Sequence, residues 1–108
     1  MKVYGIKNCD TCKKALSVLT EKGFNADFID IRDTPLSLTQ ITVFVNKFGS
    51  MLINKRSTTW RKLSEAERTL PIEKLLVLAP TVMKRPIIDN GTLFLGWNKE
   101  VIEALTVE

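Results

Sequence analysis

Residues 3–14 have the sequence VYGIKNCDTCKK, in which a short apolar run precedes two cysteines and a basic segment. The apolar run predicts a strand, and the apolar residues after the cysteines recur at helical spacing. Cys9 and Cys12 therefore lie at a predicted strand-to-helix turn. A thiol at such a turn is close to unpaired N–H groups and to the positive end of the helix dipole, which favour the reactive thiolate.

A second strand follows this helix. Residues 27–31 alternate polar and apolar side chains, as a strand does, and Gly23 is expected to end the helix before them. Because a helix joins the two strands, we expect them to pair in parallel through a right-handed crossover.

The middle of the chain is predicted to be helical. Ser37 and Ser64 each begin a capping box, which marks the start of a helix. Gly49 is expected to end the first of these helices, and Pro71 suits the first turn of a further one.

The last third of the chain changes to the alternation of strands. Residues 86–89 and 92–95 predict a β-hairpin joined by a two-residue turn, Asn90-Gly91. A final helix is predicted to pass through Val101, Ile102 and Leu105.

The element order is thus β-α-β, a helical insertion, and β-β-α. Together with C-x-x-C at the first turn, it predicts an α/β chain with a thioredoxin-like fold and a mixed four-stranded sheet. We expect a single domain, residues 1–108, whose core is residues 1–34 and 84–108 and whose helical insertion is residues 35–83. Pro86, which opens the third strand, is expected opposite the cysteine turn and is the candidate for a cis peptide bond.

Composition narrows the classes of function. No apolar run is long enough to span a bilayer, and the first residues predict a strand rather than a signal peptide, so we expect a cytoplasmic protein without membrane association. The net charge of +4 suits an anionic small molecule or an acidic protein surface, and it is too small and dispersed to predict direct nucleic-acid binding. The chain has no histidine, which excludes Cys-His and Ser-His-Asp catalysis.

The two cysteines leave several interpretations open. Cys9 is either a reactive thiolate or a small buried hydrophobe, and the polar, basic helix start favours the thiolate. Cys12 is either a resolving thiol that closes a disulfide with Cys9 or a core-facing helix residue, and both descriptions can hold. Structural zinc requires four ligands, so two thiolates in a chain expected to be monomeric predict no metal site.

Three blocks of the sequence resemble one known family. They are residues 4–15, 54–63 and 84–88, with the sequences YGIKNCDTCKKA, NKRSTTWRKL and KRPII. In this order they resemble the ArsC/Spx family of glutaredoxin-linked arsenate reductases and their relatives. Within that family the chain is most similar to the small YffB-type branch.

The resemblance implies a thiol-dependent reductase. The cysteine matching Cys9 attacks an oxyanion or a disulfide, and the arginines matching Arg56 and Arg85 hold the anionic group. Glutathione is the implied co-substrate, glutaredoxin an implied partner, and no bound cofactor is expected. The family's third arginine has no counterpart near residues 95–98, which fits the YffB-type branch and its thiol-disulfide or glutathione-dependent reduction of a substrate. The remaining candidates for contacting the substrate are Asn8, Thr11, Lys13 and Pro86.

The same resemblance implies an alternative function. Spx-type relatives carry C-x-x-C at this place and use it as a redox switch. They bind the α subunit of RNA polymerase, and an arginine matching Arg85 is linked to the switch. A redox-sensing regulator is therefore the second hypothesis, by family analogy.

Overall fold

The computed structural model describes residues 1–107, and Glu108, the last residue of the predicted domain, lies outside the described residues. The chain divides into two compact units, one made of residues 1–34 with the chain from Arg85 onward, the other of residues 35–84. In chain order the elements are β1 (Lys2–Gly5), α1 (Asp10–Glu21), β2 (Asp27–Asp30), α2 (Leu38–Phe48), α3 (Thr58–Lys62), α4 (Glu65–Arg68), α5 (Ile72–Leu78), β3 (Ile87–Asp89), β4 (Leu93–Leu95) and α6 (Lys99–Thr106).

The first unit contains a mixed four-stranded sheet in the order β2-β1-β3-β4. Strands β1 and β2 are parallel, whereas β3 pairs antiparallel with both β1 and β4. The predicted mixed sheet and the parallel pairing across the first helix are both confirmed. The alternating pattern was wrong in one respect, because it placed Asp30 on a polar face and the structure buries it.

The predicted two-residue hairpin turn was also wrong. Asp89 pairs with Leu93, so three residues, 90–92, connect β3 to β4. The Asp89 carboxylate accepts a hydrogen bond of 3.0 Å from the Gly91 N–H, and Gly91 has a φ of 93°. A side chain that hydrogen-bonds two residues ahead, next to a glycine in the left-handed region, stabilises this longer turn.

The core of the first unit joins the sheet to its helices. Its buried members come from β1, α1, β3 and α6, namely Val3, Leu19, Ile88, Val101 and Leu105. Trp97, at the entry to α6, packs against this cluster as a partly buried residue, and Asn98 caps α6 by accepting from the Val101 N–H at 3.0 Å. Among residues 1–107, no helix has the length and apolar character to cross a membrane.

The second unit is helical, as its capping signals predicted. Ser37 and Ser64 both form complete capping boxes, at the starts of α2 and α4, and Gly49 is the C-cap of α2. Pro71 precedes α5 as its N-cap rather than lying in its first turn. An isolated antiparallel bridge between Ile53 and Met83 joins two segments that are far apart in sequence.

Candidate active site

The topology of the sheet brings three chain segments to one edge. Parallel β1 and β2 end side by side, with Gly5 paired to Asp30. Antiparallel β3 begins at the same edge, since Tyr4 pairs with Ile87. The loop that follows β1 and carries Cys9 therefore lies beside the residues that precede β3, Arg85 and Pro86.

Cys9 lies at the junction of this loop with α1. It is the N-cap residue of the helix, is partly buried, and its carbonyl accepts the first helical hydrogen bond, from the Lys13 N–H at 3.0 Å. Its side chain makes no N-capping hydrogen bond, but the Cys12 N–H of the first turn is close enough to stabilise negative charge on the sulfur. This is the environment that the sequence predicted for a reactive thiol.

The pKa of Cys9 is lowered by its neighbours. Burial by itself raises the pKa of this thiol, but the backbone N–H and the thiol of Cys12 and the guanidinium of Arg85 together outweigh that effect. Each of these groups stabilises the thiolate relative to the neutral thiol. The Cys9 sulfur is therefore the more easily ionised of the two thiols.

Cys12 has the opposite environment. Its side chain is 1% exposed, and burial, reinforced by the adjacent Cys9 sulfur, raises its pKa to about 11. The core-facing interpretation of Cys12 thus agrees with its burial. The two thiols nevertheless interact with each other, so the buried Cys12 sulfur remains close to that of Cys9.

Gly5 leaves the space that Cys12 occupies. A Cβ atom on Gly5 would lie 2.5 Å from the Cys12 sulfur and 3.3 Å from Cε1 of Phe28. The last residue of β1 must therefore lack a side chain, because the second thiol packs directly against its backbone.

We expect Gly5→Ala to destabilise the protein by about 1–3 kcal/mol, since an added methyl group must displace the Cys12 sulfur. Urea denaturation of the wild type and the variant measures this loss. In a Cys12→Ala background the same substitution should be substantially less harmful, because the clashing atom is gone. Equal losses in both backgrounds would show that the sulfur contact is not the cause.

Arg85 is the cation whose hydrogen bond and charge lower the pKa of Cys9, and it belongs to the same unit. It is partly buried and precedes the cis peptide bond to Pro86. The Pro86 carbonyl accepts a hydrogen bond of 2.7 Å from the Gly96 N–H, which ties this segment to the chain after β4. Pro86 itself is fully buried, which leaves its side chain little surface for a substrate.

The sequence analysis missed Asp30, which belongs to the same edge of the sheet. Its carboxylate is 3% exposed and accepts hydrogen bonds from the Lys7 N–H at 2.9 Å and from the Arg32 N–H at 2.8 Å. The Arg32 guanidinium completes an ion pair at 3.3 Å. Asp30 thereby holds the loop that leads to Cys9 against the end of β2, and an acidic residue between the apolar Ile29 and Ile31 at the end of this strand was the signal for it.

The pKa of the Asp30 carboxyl is well below its usual range. The Arg32 guanidinium is the largest cause, and the two backbone N–H groups add to it, whereas burial acts in the opposite direction. The group is therefore ionised in the folded protein at neutral pH, and its charge is compensated by hydrogen bonds on both oxygens.

The remaining predicted residues are distributed over both units. Asn8, Thr11 and Lys13 are exposed around the start of α1, and their contact with a substrate stays a prediction. Arg56 is exposed and belongs to the second unit. Within residues 1–107, no three cysteine, histidine, aspartate or glutamate side chains are grouped so that they could hold a metal ion.

The match to a known protein family covers both the candidate site and the sheet that positions it. The family model described as the ArsC family matches residues 4–105, which include the cysteine turn, Asp30 and the Arg85–Pro86 segment. The chain belongs to the ArsC family. Its four-stranded sheet is accordingly the thioredoxin-like sheet of ArsC proteins.

Relatives within the ArsC family have different names. An uncharacterized protein of Haemophilus influenzae is 44% identical over 94% of this chain and 95% of its own length. A global transcriptional regulator Spx of Listeria innocua is 31% identical over 93% of this chain and 82% of its own. An arsenate reductase of Neisseria meningitidis is 28% identical over 97% of both chains. A solved YffB protein superposes with a TM-score of 0.89, at 29% identity and 98% coverage of both chains.

Proposed function

We propose that this ArsC-family protein is a thiol-dependent reductase whose nucleophile is the Cys9 thiolate. The electrophile is a disulfide or an oxyanion, and glutathione, alone or through glutaredoxin, is the reductant. The observation that supports this proposal is the position of Cys9 at the start of α1 beside Arg85, where its pKa is lowered. A thiolate of lowered pKa is the reactive form at neutral pH.

The first step with a disulfide substrate follows from this geometry. The Cys9 thiolate attacks one substrate sulfur, a new S–S bond forms, and the other substrate sulfur leaves as a thiolate. Arg85 is the guanidinium that holds an anionic substrate group next to Cys9, and the N–H groups at the start of α1 face developing negative charge. The substrate gains two electrons once the mixed disulfide is resolved by a second thiol.

Cys12 and glutathione are the two candidates for that second thiol. At neutral pH the free protein keeps Cys12 protonated, because burial and the neighbouring Cys9 sulfur raise its pKa to about 11. Once Cys9 is bound in a mixed disulfide, its negative charge is gone, and one cause of the raised pKa of Cys12 is removed. Cys12 then becomes a better nucleophile, and its attack on Cys9 closes an internal disulfide that glutathione reduces.

We expect Arg85→Gln to raise the apparent pKa of Cys9, because the substitution removes the positive charge that favours the thiolate. The measurement is the rate of iodoacetamide alkylation of Cys9 as a function of pH, in a Cys12→Ser background so that one thiol reacts. Arg85→Lys should recover part of the shift, since it restores a charge without the planar guanidinium.

Lys13→Ala is the matched control, because it removes an exposed cation from the first turn of α1. It should move the alkylation profile less than Arg85→Gln does. A Cys9 pKa at or above the value of an ordinary cysteine, about 8.5, in the otherwise unchanged protein would contradict the proposed activation.

A second candidate function is supported by the Spx relatives, which match 93% of this chain. In that case the cysteine pair acts as a redox switch, and the protein binds the α subunit of RNA polymerase. A binding assay with the C-terminal domain of that subunit, using oxidised and reduced protein, separates the two functions. Redox-dependent binding without turnover of any thiol substrate would favour the regulator.

A further inference from the structure

One ionised group at this edge of the sheet has no part in the chemistry proposed for Cys9. The Asp30 carboxylate is 3% exposed and lies in β2 directly after the apolar Ile29. Burying a carboxylate costs desolvation free energy that an apolar side chain of similar size would not incur. Its place beside the loop that carries the nucleophile indicates a role that an apolar residue cannot fill.

The turn that follows β2 holds the Asp30 carboxylate in place. Oδ1 accepts from the Arg32 N–H at 2.8 Å, and Oδ2 lies 3.3 Å from the Arg32 guanidinium. The Asp30 carbonyl accepts from the N–H groups of Asp33 at 3.1 Å and of Thr34 at 2.8 Å. The carboxylate is therefore a preorganised acceptor whose direction is set by β2 and the residues after it.

This acceptor binds the turn that joins β1 to α1. Oδ2 of Asp30 accepts from the Lys7 N–H at 2.9 Å. Lys7 is the second residue of a four-residue turn that begins at Ile6 and ends at Cys9, because the Cys9 N–H donates to the Ile6 carbonyl at 3.2 Å. The anchored N–H is thus two residues before the nucleophile, within the same turn.

The same turn borders both thiols. The Ile6 N–H stabilises negative charge on the Cys12 sulfur, and Cys9 is both the last residue of the turn and the N-cap of α1. Arg85 and the Cys12 N–H favour the Cys9 thiolate only while its sulfur stays beside them, because hydrogen bonds and charge interactions weaken with distance. A displaced turn would therefore lower the reactivity of Cys9 with the thiol itself unchanged.

We propose that Asp30 is a positioning residue for the Cys9 nucleophile, because its carboxylate fixes the turn at residues 6–9 and so keeps the Cys9 sulfur beside Arg85 and the start of α1. The inference rests on the proposed function, since it concerns the reactivity of the same thiol. Asp30 acts through the backbone, whereas its own negative charge disfavours a thiolate nearby. Positioning and charge therefore have opposite effects on Cys9.

The test is the pH profile of Cys9 alkylation by iodoacetamide, in the full chain with Cys12→Ser so that one thiol reacts. Asp30→Ala removes the acceptor and should move the profile to higher pH, which slows alkylation at neutral pH by about three- to tenfold. The limiting rate at high pH, where the thiol is fully ionised, should stay within about twofold. Asp30→Asn offers one oxygen to two N–H groups and should move the profile less, in the same direction.

A double-mutant cycle tests whether Asp30 acts by way of Arg85. Arg85→Gln should slow alkylation at neutral pH less in the Asp30→Asn background than with Asp30 present, since the guanidinium affects only a sulfur that lies beside it. Fully additive effects of the two substitutions would show that Asp30 does not keep Cys9 next to Arg85, and they would overturn the positioning role.

Asp33→Ala is the matched control. It removes the exposed carboxylate 2.9 Å from the Lys7 ammonium and leaves the Lys7 N–H bonded to Asp30, so alkylation at neutral pH should change less than about twofold. Circular dichroism establishes which variants are folded under the assay conditions, and Asp30→Asn decides the question if Asp30→Ala is unfolded.

The direction of the change separates the possible outcomes. A profile of Asp30→Asn that coincides with that of its Asp30 parent, or that moves to lower pH as the loss of a negative charge alone would cause, overturns the positioning role and leaves the proposed function standing. If the Asp30 parent itself titrates like an ordinary cysteine, the proposed function fails, and the positioning role fails with it.

Discussion

A Cys9→Ser variant is expected to form no mixed disulfide with oxidised glutathione and to lose thiol-dependent turnover by at least about a thousandfold, as removal of a catalytic nucleophile does. The reason is that Cys12 cannot replace Cys9. Its side chain is 1% exposed and its pKa is raised to about 11, so at neutral pH it is a buried, neutral thiol.

The measurement is mass spectrometry of the intact protein after incubation with oxidised glutathione. Cys12→Ser is the matched variant, since it changes the same kind of atom one helical turn further on. If Cys12 resolves the adduct, Cys12→Ser accumulates glutathione on Cys9, whereas the wild type proceeds to an internal disulfide. If glutathione resolves it, both proteins turn over at similar rates. Turnover that survives Cys9→Ser would refute the mechanism.

Asp30→Ala is expected to destabilise the protein by about 2–4 kcal/mol, because it leaves two backbone N–H groups, those of Lys7 and Arg32, without their buried acceptor. Asp30→Asn keeps one carbonyl oxygen and should lose less. Asp33→Ala is the control, since it removes only the exposed partner of the Lys7 ammonium, 2.9 Å away, and such ion pairs contribute little. Urea denaturation of the three variants compares these losses.

The same carboxylate predicts how stability depends on pH. The pKa of Asp30 is lower in the folded protein than in the unfolded chain. Its contribution to the free energy of unfolding is therefore fully present above the unfolded value of about 3.9 and is lost as the pH falls towards the lower folded value. Asp30→Asn should lack this component of acid destabilisation. If the free energy of unfolding of Asp30→Asn depended on pH as that of the wild type does, Asp30 would not be a source of the acid destabilisation.

Local signals in the sequence predicted the starts of the helices reliably. The capping boxes at Ser37 and Ser64 formed because a serine and the residue three positions later interact within one helical turn. The start of α1 at the cysteine turn followed from the change of period after β1. The hairpin turn was wrong by one residue, because the Asp89 side chain stabilises a longer connection than the Asn90-Gly91 pair predicts.

Which residues come together at the site depends on contacts between segments that are far apart in sequence. The sequence predicted Cys9 from its local setting and Arg85 from the family resemblance, but the interaction between them depends on the register of β1 with β3. Asp30 was overlooked because a residue at the end of a strand is as often solvated as buried. Its carboxylate accepts from the N–H of Lys7, 23 residues away in sequence, and no local pattern specifies that contact.

The sequence alone determined where several helices begin, because a capping signal depends on neighbours within one helical turn. It also determined which family the chain resembles, because three blocks of sequence in a fixed order carry that resemblance. Tertiary structure decided which charges act together. It placed Arg85 by the Cys9 thiol, buried Cys12 against Gly5, and brought the Lys7 N–H to the Asp30 carboxylate. Electrostatic effects depend on distance in space, and strand pairing sets that distance between residues far apart in the chain.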